Sequence, residues 1–335
     1  MTTDPTLPRP RTVRWLLRLH RPALYAFAGL VILLAAVQLA LAGPLADAAA
    51  AGWRQFDACD LDMRICTYDQ ASILRYKDYY DYATDALIAL PFLVAAWAGA
   101  ALTGREMETG TARLSWTQGT SPARWLTVRL AVPASLVAAG TCLLFWLHHR
   151  AWSAGLGRVD SAKRWYDLAT FHANGPTTAT LALTGLAAGT LAGLALGRTL
   201  PALVVGTLLT VGVAGVAQQL LPHLWPAVTR IGDLHQGYHG DGLIVAQGLV
   251  TRTGEHVSCG SGACDRASVN AVGYFNTYHP YSHYWPLQLT TSALFLAVTG
   301  LLVLASYLVL RRQTGALRAA GTATAAGTKG VLVSA

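Results

Sequence analysis

Charge is what this chain has least of. Asp, Glu, Lys and Arg make up 13% of its 335 residues, against roughly 25% in an ordinary soluble domain. Hydrophobic residues make up 53%, and the mean hydropathy is +0.38. A chain so poor in charge cannot clothe a water-facing surface, which excludes a soluble enzyme or a nucleic-acid binder. The net charge of +8 must therefore be judged by where along the chain it falls. Catalytic and nucleotide signatures are missing too. There is no HExxH, no GxSxG and no Gly-x4-Gly-Lys-Ser/Thr loop. Gly327-Thr328-Lys329 has the wrong order and spacing, with no strand before it. Cysteine is limited to five positions. Cys142 lies in an apolar run and is expected to stay a free thiol, whereas Cys59, Cys66, Cys259 and Cys264 lie in polar stretches. Short spacing favours the pairs Cys59–Cys66 and Cys259–Cys264 if those stretches face an oxidising compartment, with a bridge between the two stretches as the rival.

Long apolar runs are what the chain does have. A transmembrane helix needs about 20 mostly apolar residues, and six segments reach that length, at 22–43, 83–103, 126–147, 176–197, 200–221 and 286–310. The first is longer than the apolar core of a signal peptide, about 7–15 residues, and is read as a retained span. The fourth and fifth are separated only by Gly197-Arg198-Thr199-Leu200-Pro201, a tight hairpin. The span cores are read as uncharged. On that reading they lack the intramembrane groups of ion-coupled carriers, leaving a mover powered from elsewhere, a passive channel or a purely structural membrane protein.

Basic residues concentrate in 1–21, 104–125, the 4–5 hairpin and the tail 311–335, where the only acids are Asp4, Glu106 and Glu108. Arg9, Arg11, Arg14, Arg18 and Arg21 precede the first span and Arg311-Arg312 follow the last, so the positive-inside rule predicts N-in, C-in. The expected fold is an all-α integral membrane protein of six helices with enlarged extracellular loops. Residues 1–21 are expected to form a cytoplasmic interfacial helix, with Arg14, Arg18 and Arg21 on one face toward lipid phosphates. Residues 22–221 would hold spans one to five, with extracellular loops 44–82 and 148–175 and the cytoplasmic loop 104–125. An extracellular segment, 222–285, would lead into the sixth span at 286–310. The small-residue tail is expected to be disordered.

Within this frame several residue sets stand out. Tyr76, Tyr79, Tyr80 and Tyr82, and Tyr278, Tyr281, Tyr284 and Trp285, sit where the chain returns to the membrane, as interface anchors do. Gly185, Gly189, Gly193 and Gly197 form a four-residue ladder that lets helix backbones approach closely, within one subunit or between two. His279 and His283, and His235 and His239, are i, i+4 pairs. Their stretches contain Gly or Pro, so a structural role is favoured over a metal or pH-sensing one.

The loop 104–125 reads as a short helix, a turn, and a new helix opened by Thr120-Ser121-Pro122. Its Glu106-x-Glu108-x-Gly110-Thr111, then Leu114, then Ser121-Pro122-x-Arg124, resembles the loop between the second and third spans of type-2 ATP-binding-cassette (ABC) transporter permeases, most of all their actinobacterial branch. The stretch from Tyr278 to Gln288 is similar to the segment entering the last span in that branch. The two large polar outside loops depart from the family's compact cap.

The resemblance implies a permease subunit of an ATP-driven exporter in the bacterial cytoplasmic membrane, moving a lipophilic or amphipathic substrate. Glu106, Glu108, Gly110, Thr111, Arg113 and Leu114 would form the coupling surface for a separate ATPase subunit. Glu106 and Glu108 would steady the loop helix and meet basic groups on that partner, and Arg113 would meet a carboxylate there. ATP and magnesium would belong to the partner, with no cofactor, metal or catalytic residue in this chain. Permease chains would pair as a homodimer in contact with membrane lipid, across the first or fifth span. The alternative is a membrane-anchored ligand-binding or sensor protein without transport, which needs no docking helix; a membrane enzyme ranks third.

Overall fold

In lipid, a backbone must satisfy its own N–H and C=O groups, and a helix does so within one segment. The computed structural model, which describes residues 17–59, 66–159, 163–234, 242–258 and 270–331, is built accordingly. Six helical stretches are long and apolar enough to cross a membrane: Arg21–Asp57, Gln70–Glu108, Pro122–Gly155, Pro176–Leu196, Thr199–His223 and Tyr281–Gly315. The chain is thus an integral membrane protein whose membrane part is helical. Residues 1–16, most of the expected interfacial helix, lie outside the described residues.

Helix α1 (Arg21–Ala42) breaks at Gly43, where Pro44 opens α2 (Pro44–Asp57). Helix α3 (Gln70–Trp97) starts on the cap of Asp69, whose carboxylate accepts from Ser72 N at 3.1 Å, and runs into a π-helical turn, Ala98–Gly104. Two short helices, α4 (Arg105–Glu108) and α5 (Thr111–Thr117), fill the loop before α6 (Pro122–Gly155). Helix α7 (Leu168–Ala173) leads to α8 (Pro176–Leu196), and α9 (Thr199–Leu220) follows after a two-residue turn. The last helix, α10 (Tyr284–Val331), continues through the run expected to be disordered. Alanine, abundant there, is the strongest helix former.

The reading of the span cores as uncharged fails at two positions. Asp85 lies near the start of the second span, where it is exposed, and Arg129 lies inside the third, where it is buried. Helix α8 is the hub of the bundle, packed against α3, α6, α9 and α10. Its glycines make this possible. A Cβ on Gly185 would collide with Pro91 O, one on Gly189 with Ala95 O and Gly99 N, and one on Gly193 with Thr103 Oγ1. The ladder therefore packs within the subunit, against α3 and its π-helical extension. Gly197, the fourth member, ends α8 in the left-handed region at φ 60°.

Among its described residues, segment 222–285, expected only as an extracellular segment, carries a four-stranded antiparallel sheet, an addition to the all-α description. Strands β1 (Val228–Asp233), β2 (Leu243–Thr251), β3 (His256–Ser258) and β4 (Ala271–His279) take the order β1-β4-β2-β3. The first follows α9 and the fourth precedes α10, paired from Val228↔Tyr278 to Asp233↔Gly273. Of the expected interface aromatics, Tyr79, Tyr82, Tyr281 and Trp285 are exposed, but Tyr76, Tyr80, Tyr278 and Tyr284 are buried in the core at this end of the bundle. Tyr76, Tyr80 and Tyr284 pack there with Trp152, Trp165 and Phe171.

Candidate functional site

The α4–α5 loop sits at the end of the bundle that carries the α8–α9 turn. Its shape is written in small polar residues. Thr109 Oγ1 donates to Arg105 O at 2.8 Å and closes α4. Gly110 then adopts φ 72°, which reverses the chain at little steric cost, and α5 begins. Gly119 at φ 90° turns it again, and Ser121 Oγ accepts from Arg124 N at 3.3 Å to cap α6, with Pro122 in its first turn. Ala112 is fully buried under α5, and Trp116 meets Trp125 of α6 edge to face at 5.6 Å. One side of α5 is thus fastened to the bundle. The other presents Thr111, Arg113 and Leu114, with Leu114 57% exposed.

The two carboxylates have different tasks. Glu106 is only 7% exposed and takes a charge-assisted hydrogen bond from Arg129 Nη2 of α6. The Arg129 guanidinium also lies over the Trp125 ring, 4.3 Å from its centroid, a cation–π contact. Glu106 therefore does not face a partner, a correction to the expectation above: its charge is spent inside the chain. Glu108 accepts from Thr199 N at 2.9 Å and from Thr199 Oγ1, so it caps the first turn of α9, where the helix dipole favours an anion. It is exposed, but its hydrogen bonds run to α9. The loop is bolted to the third span through Glu106 and to the fifth through Glu108.

Arg113 joins neither carboxylate and has no ion pair among the described residues. Sequence reasoning missed Arg129 and Thr199. Arg129 left a signal, because an arginine in an apolar run demands an internal partner; Thr199 left none.

At the opposite end the polar groups serve packing. His148 is buried with both ring nitrogens engaged, Nε2 with Thr84 Oγ1 at 2.9 Å and Nδ1 with Asn174 Oδ1 at 2.5 Å. Tyr284 OH donates to Asn174 O at 2.9 Å. His172, just before α8, reaches Gln218 Oε1 of α9 at 3.2 Å, and its pKa is held below the usual 6.5 by burial, which the Gln218 bond only partly offsets. His279 and His283 stand Nδ1 to Nδ1 at 3.1 Å, and His279 Nε2 contacts Pro222 O at 3.0 Å. Among the described residues no third His, Cys, Asp or Glu joins any such pair as a metal site would require. His235 and His239 lie outside the described residues, as do Cys259 and Cys264. Cys59 and Cys66 are joined as a disulfide with Cα atoms 5.8 Å apart, and Cys142 is a free thiol on α6.

The arrangement is a membrane bundle with one small helical loop pinned to two spans and carrying an exposed apolar–basic tip. No curated protein and no solved structure matches the chain. The family model described as ABC-2 membrane transporter related matches residues 26–221, more than half of the chain, from α1 through α9 and across the α4–α5 loop. A multi-pass permease component of an ABC transporter, this chain belongs to the ABC-2 membrane transporter related family.

Proposed function

We propose that the chain is the membrane subunit of an ATP-driven exporter and that the tip of α5 is the docking element for a separate ATPase subunit, which supplies ATP and magnesium. The observation that supports this most is the double pinning of the loop. A push on α5 is passed to the third span through the Glu106–Arg129 pair and to the fifth through the Glu108 cap on α9. A solvated connector has no need of two such anchors. Thr111, Arg113 and Leu114 are left to meet the partner, Leu114 in an apolar socket and Arg113 against a carboxylate. The basic loops support a cytoplasmic position for this end. The apolar outer face of α9, with Leu200, Val204, Leu208 and Val216 exposed, suits a second permease copy, and the apolar bundle suits a lipophilic or amphipathic substrate.

The test is Leu114→Asp and Arg113→Glu in the complex reconstituted in vesicles, reading substrate-stimulated ATP hydrolysis. Truncating one member of a buried interfacial charge pair costs about 2–5 kcal/mol, so stimulation should fall more than tenfold while the unfolding temperature of the permease stays put. Full stimulation in both variants would place docking elsewhere.

A further inference from the structure

Between α1, α3 and α6 lies a cavity of about 260 Å3 that the coupling function does not use. Hydrocarbon lines most of it, from Leu24, Phe27 and Leu30 on α1 to Val94 on α3 and Val132 on α6. Its wall is incomplete on the lipid side, since Leu93 and Leu136, both lining it, are exposed. Two polar groups close the end nearest the N-terminus: His20 and Trp97, their rings edge to face at 5.7 Å. His20 Nε2 and Trp97 Nε1 are sealed from solvent and have no hydrogen-bond partner among the described residues. Indole nitrogen can only donate. Burial, and then the positive charge of Arg129, pull the His20 pKa below 6.5, so its ring is neutral near pH 7 and donates from Nε2 in one tautomer. A second hollow shares Leu17 and Leu24 with the first and adds Arg18, Arg21 and Tyr25.

From Arg18 into α1 the chemistry is therefore ordered: Arg18 outermost, then the buried His20 donor with the Arg21 guanidinium beside it, then hydrocarbon as far as Leu30, about 15 Å from His20 at 1.5 Å per residue. A glycerophospholipid at a membrane surface carries the complementary order of phosphate, ester carbonyl and acyl chain. We propose that this cavity holds one acyl chain of an anionic phospholipid, its ester carbonyl accepting from Trp97 Nε1 and His20 Nε2 and its phosphate facing Arg18 and Arg21. A free long-chain carboxylate fits less well, because it would bring its charge to the donors and leave the arginines unanswered. The gap at Leu93 and Leu136 lets the chain slide in from the bilayer without crossing water. Held there, the lipid would fill the seam between the first span and the two that flank the coupling loop.

Native mass spectrometry of the detergent-purified full chain tests this, after delipidation and return of dioleoylphosphatidylglycerol, dioleoylphosphatidylcholine or oleate in turn. One phosphatidylglycerol per chain should be retained in preference to phosphatidylcholine. Trp97→Phe, which keeps the ring and removes the N–H, should weaken retention about tenfold, the value of one buried hydrogen bond. The double variant Arg18→Gln/Arg21→Gln should bind both phospholipids alike. Val132→Phe should block either by filling the cavity, and Trp97→Phe still decides the matter if that variant does not fold. Retention unchanged in Trp97→Phe would overturn the proposal. So would oleate that displaces phosphatidylglycerol and itself depends on Trp97, since the site would then take a free carboxylate.

Discussion

Glu106 and Arg129 neutralise each other where either charge alone would be far more costly than in water. Removing one partner of such a pair costs about 3–5 kcal/mol, whereas replacing both by apolar groups is often neutral. Glu106→Gln and Arg129→Met should each lower the unfolding temperature in detergent by several degrees, and Glu106→Met/Arg129→Met should recover most of it. A single variant as stable as the parent would mean that the pair does not hold the loop. Under the proposed function, loss of activity in Glu106 variants would therefore report on loop position rather than on docking, unlike loss in Leu114 variants. His172 is a second residue with a readable energy. It stays neutral in the fold, while in the unfolded chain it takes a proton near pH 6.5. Below that pH the unfolded state binds the extra proton, so stability is intact above about 6.5 and falls as the pH drops toward the lowered folded value. Unfolding at pH 7.5 and pH 5 should show a smaller loss for His172→Gln than for the parent; equal losses would assign the acid sensitivity to other groups.

The helices were legible in the sequence, because twenty-residue apolar runs have few other ways to fold and Gly197 and Ser121-Pro122 mark their ends. The sheet was not. Val228–Asp233 mixes Arg, Gly and Asp with the β-branched Val228, Thr229 and Ile231, and its paired residues lie at least forty positions away, so no local period announces it. The α4–α5 loop was legible in outline, but which carboxylate faces inward depends on Arg129 and Thr199, brought near only by tertiary packing. The glycine ladder was visible as a spacing, and the fold supplies its partner helix. Gly189→Val should be severe, since its side chain would strike Ala95 O and the backbone of Gly99, and overpacking of a tight seam costs about 1–3 kcal/mol or more. Gly29→Ala on α1, which has open space around it, should be close to neutral. Equal unfolding temperatures for the two would deny that α8 is seated by its glycines.

At the scale of the whole molecule, the proposed six-span topology puts the two ends of the chain on one side and the sheet on the other. Single cysteines at Thr117 and Asp233, in a background lacking the native thiols, should react with an impermeant maleimide from opposite sides of intact cells, the second from outside. Labelling of both from one side would overturn the six-span topology. The sheet also joins α9 and α10, which touch each other little although both lie on α8. The six-residue ladder from Val228↔Tyr278 to Asp233↔Gly273 ties the two spans together just beyond their ends, and between them runs an apolar slot walled by Leu209, Val213, Leu294 and Val298. Two rods fastened at one end can part only at the other. Any widening of that slot must pivot on the β1–β4 ladder as tongs do on a rivet, with its greatest travel at the end that carries the α4–α5 loop.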